Sequence, residues 1–162
     1  MSSSPAENSY QKGMAALKDG RPVEAAALFE SAMRIEKLKG NARRQMRYLS
    51  YFGLSTALAD RPTPEAIQAC EVAARQDFFN PELLLNLGRV YMMAGKTTRA
   101  LATLERGAVL APKNKAIRRE LKRVDRRSRP PIPWMSRNHP LNQFLGRVRY
   151  SLATRASRRA QV

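Results

Sequence analysis

The strongest constraint on this chain is a spacing that it uses more than once. Gly13, Gly20, Ala25 and Phe29 follow one another at intervals of 7, 5 and 4 residues, and Gly88, Gly95, Ala100 and Leu104 repeat those intervals. A middle copy runs through Leu49, Phe52, Gly53, Ala66, Cys70 and Ala73, with one extra residue in its turn at Asp60-Arg-Pro-Thr-Pro64. A recurring period of this size marks one supersecondary unit repeated along the chain. Each copy buries an apolar face against its neighbours, because a lone copy has too little interior to be stable.

The unit is helical. Leu83-Leu-Leu-Asn-Leu-Gly-Arg-Val-Tyr91 spaces its apolar residues at helical intervals and does not alternate them as a strand would. Asn80-Pro81-Glu82 reads as a helix start: a capping side chain, proline in the first turn, then an acid at the positive end of the helix dipole. Gly20 and Gly95 stand where a first helix ends and a left-handed residue is wanted. Gly13, Gly53, Gly88, Ala25, Ala66 and Ala100 allow close helix approach. Phe29, Leu49, Phe52, Leu87, Tyr91 and Leu104 are expected to fill the space between ridges.

These residues resemble the tetratricopeptide repeat, a helix–turn–helix unit with a large residue, Leu-Gly, an aromatic, Ala, Phe and Pro at fixed offsets. The third copy is most similar, with Leu84, Leu87-Gly88, Tyr91, Gly95, Ala100, Leu104 and Pro112. Ala16 and Thr56 stand at the aromatic place in the first and second copies. The resemblance covers about residues 6–114 and implies an all-α, right-handed solenoid of about three helix pairs. Glu36 to Arg47 holds about six residues beyond the period, which allow a longer loop or, the favoured expectation, lengthened helices broken near Gly40-Asn41.

Beyond Pro112, Ile117, Leu121 and Val124 share one face of an otherwise charged segment from Lys115 to Arg127. A capping helix is expected, because a solenoid must close its last apolar face. The organisation read from the sequence is therefore a disordered N-terminus (1–5), a repeat domain with its cap (6–127) and a basic tail (128–162). In the tail, Ser128-Arg-Pro-Pro-Ile-Pro133 breaks helix. Leu141, Phe144, Leu145, Val148 and Leu152 then form an amphipathic pattern, with a helix expected at about 140–153. That stripe and Trp134 need a cover, whether the chain's own repeats, a partner or an anionic membrane surface. Proline-flanked tails of this kind resemble those of some small bacterial repeat proteins.

Charge narrows the partner. The chain holds 30 Lys and Arg against 13 Asp and Glu, a net charge of +17. Residues 115–162 contribute 14 of the bases and 2 of the acids. Acidic proteins, nucleic acid and anionic lipid are the partner classes this favours. Arg118, Arg119, Lys122, Arg123, Arg126 and Arg127 are the candidate anion contacts, while Trp134, Leu141, Phe144, Leu145 and Val148 are the candidate docking residues of the tail. No signal peptide and no run of apolar length sufficient to span a bilayer is present, so a cytoplasmic protein is expected.

The residues do not spell a catalytic or metal site. Gly95-Lys96-Thr97 lacks the upstream glycine of a phosphate-binding loop, since Val90 stands in its place. His139 and Cys70 are single residues of their kind and form no metal set. Cys70 falls at a core position and is expected to be buried and inert. Glu24, Glu30, Glu36, Glu65 and Glu71 read as helix-solvating charges. No cofactor is expected.

The family resemblance implies that first helices line a concave groove. Its contact positions fall here on Glu7, Tyr10, Met14 and Leu17, on Arg47, Ser50, Leu54 and Leu58, and on Glu82, Leu85, Arg89, Met92 and Met93. One subclass of the family grips a terminal carboxylate with Lys and Asn. Tyr10, Met14 and Glu82 occupy such places here, which disfavours chaperone-tail binding. The expected function is a protein–protein adaptor or scaffold that takes a peptide or helix of its partner in this groove, with the basic tail as a second contact. The alternative is an anionic polymer or membrane surface bound through the C-terminal third.

Overall fold

A computed structural model describes residues 4–128, which form seven helices. They are α1 (Pro5–Lys18), α2 (Pro22–Lys39), α3 (Ala42–Ala59), α4 (Pro64–Gln76), α5 (Pro81–Met93), α6 (Thr97–Leu110) and α7 (Lys115–Ser128). No strand occurs among the described residues. Three antiparallel pairs, α1/α2, α3/α4 and α5/α6, stack in order, and α3 also meets α5 directly. The expected helical hairpins and their register are therefore present. The tail docking residues Trp134, Leu141, Phe144, Leu145 and Val148 lie outside the described residues, as does His139.

Local chemistry sets the helix boundaries. Ser4, Asn41, Thr63 and Asn80 each cap a helix through a side-chain oxygen that accepts a backbone N–H. Asn114 does the same for α7, accepting from the N–H groups of Ala116 and Ile117 at 2.9 and 3.2 Å. Because Ser4 is a cap and Pro5 opens α1, helix begins inside the stretch 1–5 that the sequence reading set aside as disordered. The surplus residues at the first junction extend both flanking helices to 18 residues, against 13 or 14 in the other repeat helices. Gly40 makes the break between them at φ +74°, a conformation that a Cβ would strain.

The hairpins close tightly. A Cβ on Gly53 would lie 2.7 Å from the Ala66 carbonyl oxygen and 2.8 Å from Cys70 Sγ. Such contact is reachable only by a residue without a side chain. The core of the stack holds Phe29, Leu83, Leu84, Val90, Leu104, Ile117 and Val124. Tyr48 and Tyr51 are buried as well, while Leu49 and Phe52 are only partly covered at its edge. The capping role expected of Lys115–Arg127 holds for its described part: Ile117 and Val124 are fully buried, and Ile117 sits 3.3 Å from the position a Cβ on Gly107 would occupy.

Candidate partner-binding site

The first helices α1, α3 and α5 are joined by a chain of polar contacts. Arg47 on α3 reaches both carboxylate oxygens of Glu7 on α1, each at 3.2 Å. The Tyr48 hydroxyl donates to Glu7 at 3.1 Å. From α3 to α5, the Tyr51 hydroxyl donates to Glu82 at 2.6 Å, and Asn86 Nδ2 donates to the Ser50 hydroxyl at 3.2 Å. Arg89 on α5 then donates to Glu120 on α7 at 3.1 Å. The side chains of Ser50 and Asn86 are fully buried, so their mutual bond avoids the cost of an unpaired amide in the interior.

This network perturbs its titratable groups. Burial works to raise the Glu7 carboxyl, but hydrogen bonds from Gln11 and Tyr48 and the charges of Arg47 and Arg44 outweigh it and hold the group below the usual carboxylate range. Burial and the bond to Glu82 push the Tyr51 phenol far above its ordinary value. Burial and the Glu7 carboxylate push Tyr48 to about 12. Cys70 is buried as expected. Its thiol is raised to about 12 by that burial, and it donates weakly to the Ser50 carbonyl at 3.4 Å. A thiol held protonated this firmly is a poor nucleophile.

The sequence-predicted groove residues divide into two sets. Tyr10, Leu54 and Leu85 are buried and cannot present their side chains to a ligand as placed. Tyr10 packs against Phe29, Tyr48 and Tyr51, with ring centroids 5.7, 5.2 and 5.6 Å away, and the Arg47 guanidinium lies over its ring at 4.2 Å. The reason is its neighbours: three other aromatic rings converge on this position, so inward rotation buries more apolar surface than a groove-facing pose. Arg47 and Arg89 are partly exposed and already engaged with Glu7 and Glu120. Met14, Leu17 and Met92 are partly covered, while Leu58 and Met93 are 49% and 37% exposed.

Two of the glutamates read as surface charges have other roles. Glu36 is fully buried on α2, and Glu71 accepts the Tyr91 hydroxyl at 2.6 Å. Both stand on second helices where the facing hairpin closes over them, a relation that local sequence does not encode.

On α7, Arg118, Arg119, Lys122 and Arg123 are all exposed, and Arg123 is drawn to the buried Glu120 at 3.2 Å. The side chains of Arg126 and Arg127 lie outside the described ones. Among the described residues, no group of three His, Cys, Asp or Glu side chains is placed to hold a metal ion. No described helix is long and apolar enough to cross a membrane.

Sequence reading missed a second cluster. Phe78 and Phe79, in the turn between α4 and α5, are 47% and 69% exposed and lie with ring centroids 4.2 Å apart. Beside them a pocket of about 420 Å³ is lined by Arg43, Arg44 and Arg47 on one side and Asp77, Phe79 and Asn80 on the other. The signal available was a Phe-Phe pair beside Asn-Pro, but no period links that pair to arginines some 35 residues earlier.

The stacked hairpins, their tight glycine seams and the capping α7 invite comparison with known repeat domains. The tetratricopeptide domain of Sgt2 from Aspergillus fumigatus superimposes with a TM-score of 0.63 at 18% identity, covering 76% of this chain and 79% of that one. The chain has the tetratricopeptide-repeat fold. The tetratricopeptide domain of Arabidopsis OM64 is similar as well, with a TM-score of 0.60, 23% identity and coverage of 75% and 94%. So is the first tetratricopeptide domain of Spaghetti (RPAP3), a structure bound to the HSP90 peptide SRMEEVD, with a TM-score of 0.59, 17% identity and coverage of 78% and 94%. No family model matches the sequence, and no curated protein matches it. At these identities the likeness to tetratricopeptide domains establishes the fold alone.

Proposed function

We propose that this protein is a cytoplasmic adaptor whose tetratricopeptide repeats dock a peptide or helix of another protein in the groove formed by α1, α3 and α5. The observation that carries this reading is the direct contact of α3 with α5, joined through Tyr51–Glu82 and Ser50–Asn86, with α1 tied to α3 through the Glu7–Arg47 pair. A peptide-bound domain of the same fold supports it. The contacts would come from Met14, Leu17, Leu58, Met92 and Met93, with Arg47 and Arg89 at the polar positions. Tyr10, Leu54 and Leu85 would back the groove from beneath. Met suits this task because its unbranched side chain adapts to varied partners.

A chaperone tail ending in a carboxylate is a poor fit. Glu82, at one of the places where the carboxylate-gripping subclass has a lysine, is itself an anion committed to Tyr51. The exposed Arg118, Arg119 and Lys122 on α7, continued by the basic tail, would supply a second contact to an acidic surface.

Affinity capture from source cells tests the reading. The full chain, a form truncated after residue 127 and the double variant L58E/M93E are compared. Both substituted residues are exposed, so the variant should fold. The adaptor reading expects one protein partner with the full and truncated chains and its loss with L58E/M93E. Recovery of nucleic acid or lipid alone, lost on truncation, overturns it in favour of an anion-binding tail.

A further inference from the structure

The pocket between the start of α3 and the start of α5 is set apart from the groove residues above by its chemistry. Arg43 and Arg44 are exposed and form no ion pair among the described residues. Arg47, deeper in, is already bound to Glu7. Two helices of 18 and 13 residues direct their N-termini here, capped by Asn41 and Asn80, so the positive ends of two dipoles add to the arginine charge.

The opposite wall is aromatic and braced. Arg106 donates to the Phe78 carbonyl at 3.0 Å, and its guanidinium lies 5.9 Å from the centre of the Phe78 ring. Phe79 leans on Phe78. A ring held in place while most of its surface faces water loses little side-chain freedom when a ligand covers it. A smaller cavity of about 230 Å³ shares Arg43, Asp77 and Phe79 and adds Met46 and Phe78, so the apolar surface continues past the arginines.

We propose that this pocket is a second docking site, which takes an acidic segment of a partner protein with its carboxylates on Arg43 and Arg44 and a neighbouring apolar side chain on Phe79. It rests on the reading of the chain as a protein-binding adaptor and adds the chemistry of what is bound. The chain's own tail is the wrong occupant: residues 129–162 hold seven arginines and no aspartate or glutamate. A second copy is repelled by the net charge of +17. A polynucleotide fits less well than a peptide because Asp77 sits in the same wall. Asp77 accepts from Asn80 Nδ2 at 3.0 Å and leaves a carboxylate beside the arginines that repels phosphate but accepts a backbone N–H.

The test is fluorescence anisotropy with the full chain at moderate salt. The probes are a labelled peptide alternating glutamate and leucine, its lysine–leucine counterpart, a glutamate–serine peptide and an oligothymidylate of similar length. The glutamate–leucine peptide should bind best. The double variant R43E/R44E should weaken it at least about tenfold, since charge-assisted hydrogen bonds are lost. F79A should weaken it by about fivefold through lost apolar burial and leave the glutamate–serine peptide unmoved. All three positions are exposed, and acids suit the first turn of α3, so circular dichroism should match the parent, with the R43E/R44E thermal midpoint only slightly lowered by loss of the Arg44 charge near Glu7.

Equal binding of the acidic peptide by parent and R43E/R44E overturns the proposal, because the basic tail remains in both. So does tighter binding of the oligothymidylate that disappears in R43E/R44E, which assigns the pocket to nucleic acid. Absence of acidic-peptide binding overturns it too. L58E/M93E separates the two readings: it should abolish partner capture through the groove and leave the glutamate–leucine peptide bound.

Discussion

The Tyr51 hydroxyl donates to the Glu82 carboxylate at 2.6 Å, and this bond ties the first helix of the middle hairpin to that of the last. Y51F keeps the ring and removes the bond. It should destabilise the fold by about 1.5 to 3 kcal/mol, the usual range for a hydrogen bond to a charged group. Urea unfolding followed by circular dichroism measures it, and a midpoint equal to the parent's would show the bond contributes nothing.

Alkali should unfold this protein through its phenols. Tyr48 and Tyr91 are raised to about 12, mainly by burial, and Tyr51 is raised further. A folded-state pKa above the unfolded value of 10.0 means that the unfolded chain loses its proton first. The associated stability is complete below pH 10 and falls as pH rises toward 12. Tyrosinate absorbance and helical ellipticity should change together in that window. Tyrosines that titrate near their ordinary value in a chain still helical would contradict the buried hydroxyl contacts.

G53A tests the seam of the middle hairpin. Alanine is the better helix former by about 1 kcal/mol, but its methyl would meet the Ala66 carbonyl oxygen at 2.7 Å, and backbone does not yield cheaply. Overpacking costs about 1 to 3 kcal/mol, so the net change should be destabilising. A rise in thermal midpoint would show that α3 and α4 can separate without cost.

Capping by α7 rests on Ile117 and Val124. Ile117→Ala should cost about 2 to 4 kcal/mol, through lost burial and the cavity left against α5 and α6. Hydrogen exchange should show the last hairpin opening first, while α1 to α4 keep more of their protection. A uniform loss would mean that the stack unfolds as one unit with no special dependence on its cap.

Most of the fold was legible because it is periodic. Gly13, Gly53 and Gly88 announce close contacts that the structure places at Phe29, at Ala66 and Cys70, and at Leu104. Gly40-Asn41 announces the break between α2 and α3, since one residue takes a positive φ and the other caps. Partner contacts were harder to read, because exposure depends on what lies across an interface. Tyr10 sits at a groove position by offset, yet Phe29, Tyr48 and Tyr51 surround it. Leu49 and Phe52 occupy core offsets but are covered only in part, and the deeper places go to Tyr48 and Tyr51. The Arg43–Phe79 pocket joins two non-periodic segments, so no spacing rule points to it.

The surplus at the first junction has one more implication. α3 starts 11 residues before Gly53, whereas α5 starts 7 before Gly88, so α3 overhangs by about 6 Å. Arg43 and Arg44 stand on that projecting turn. Trimming α3 alone, back to the starting point of its counterpart, would leave every glycine seam and the cap intact, and would delete the ledge beside Phe79. The most irregular stretch of the array is thus the one place where its surface can be rebuilt without touching its interior.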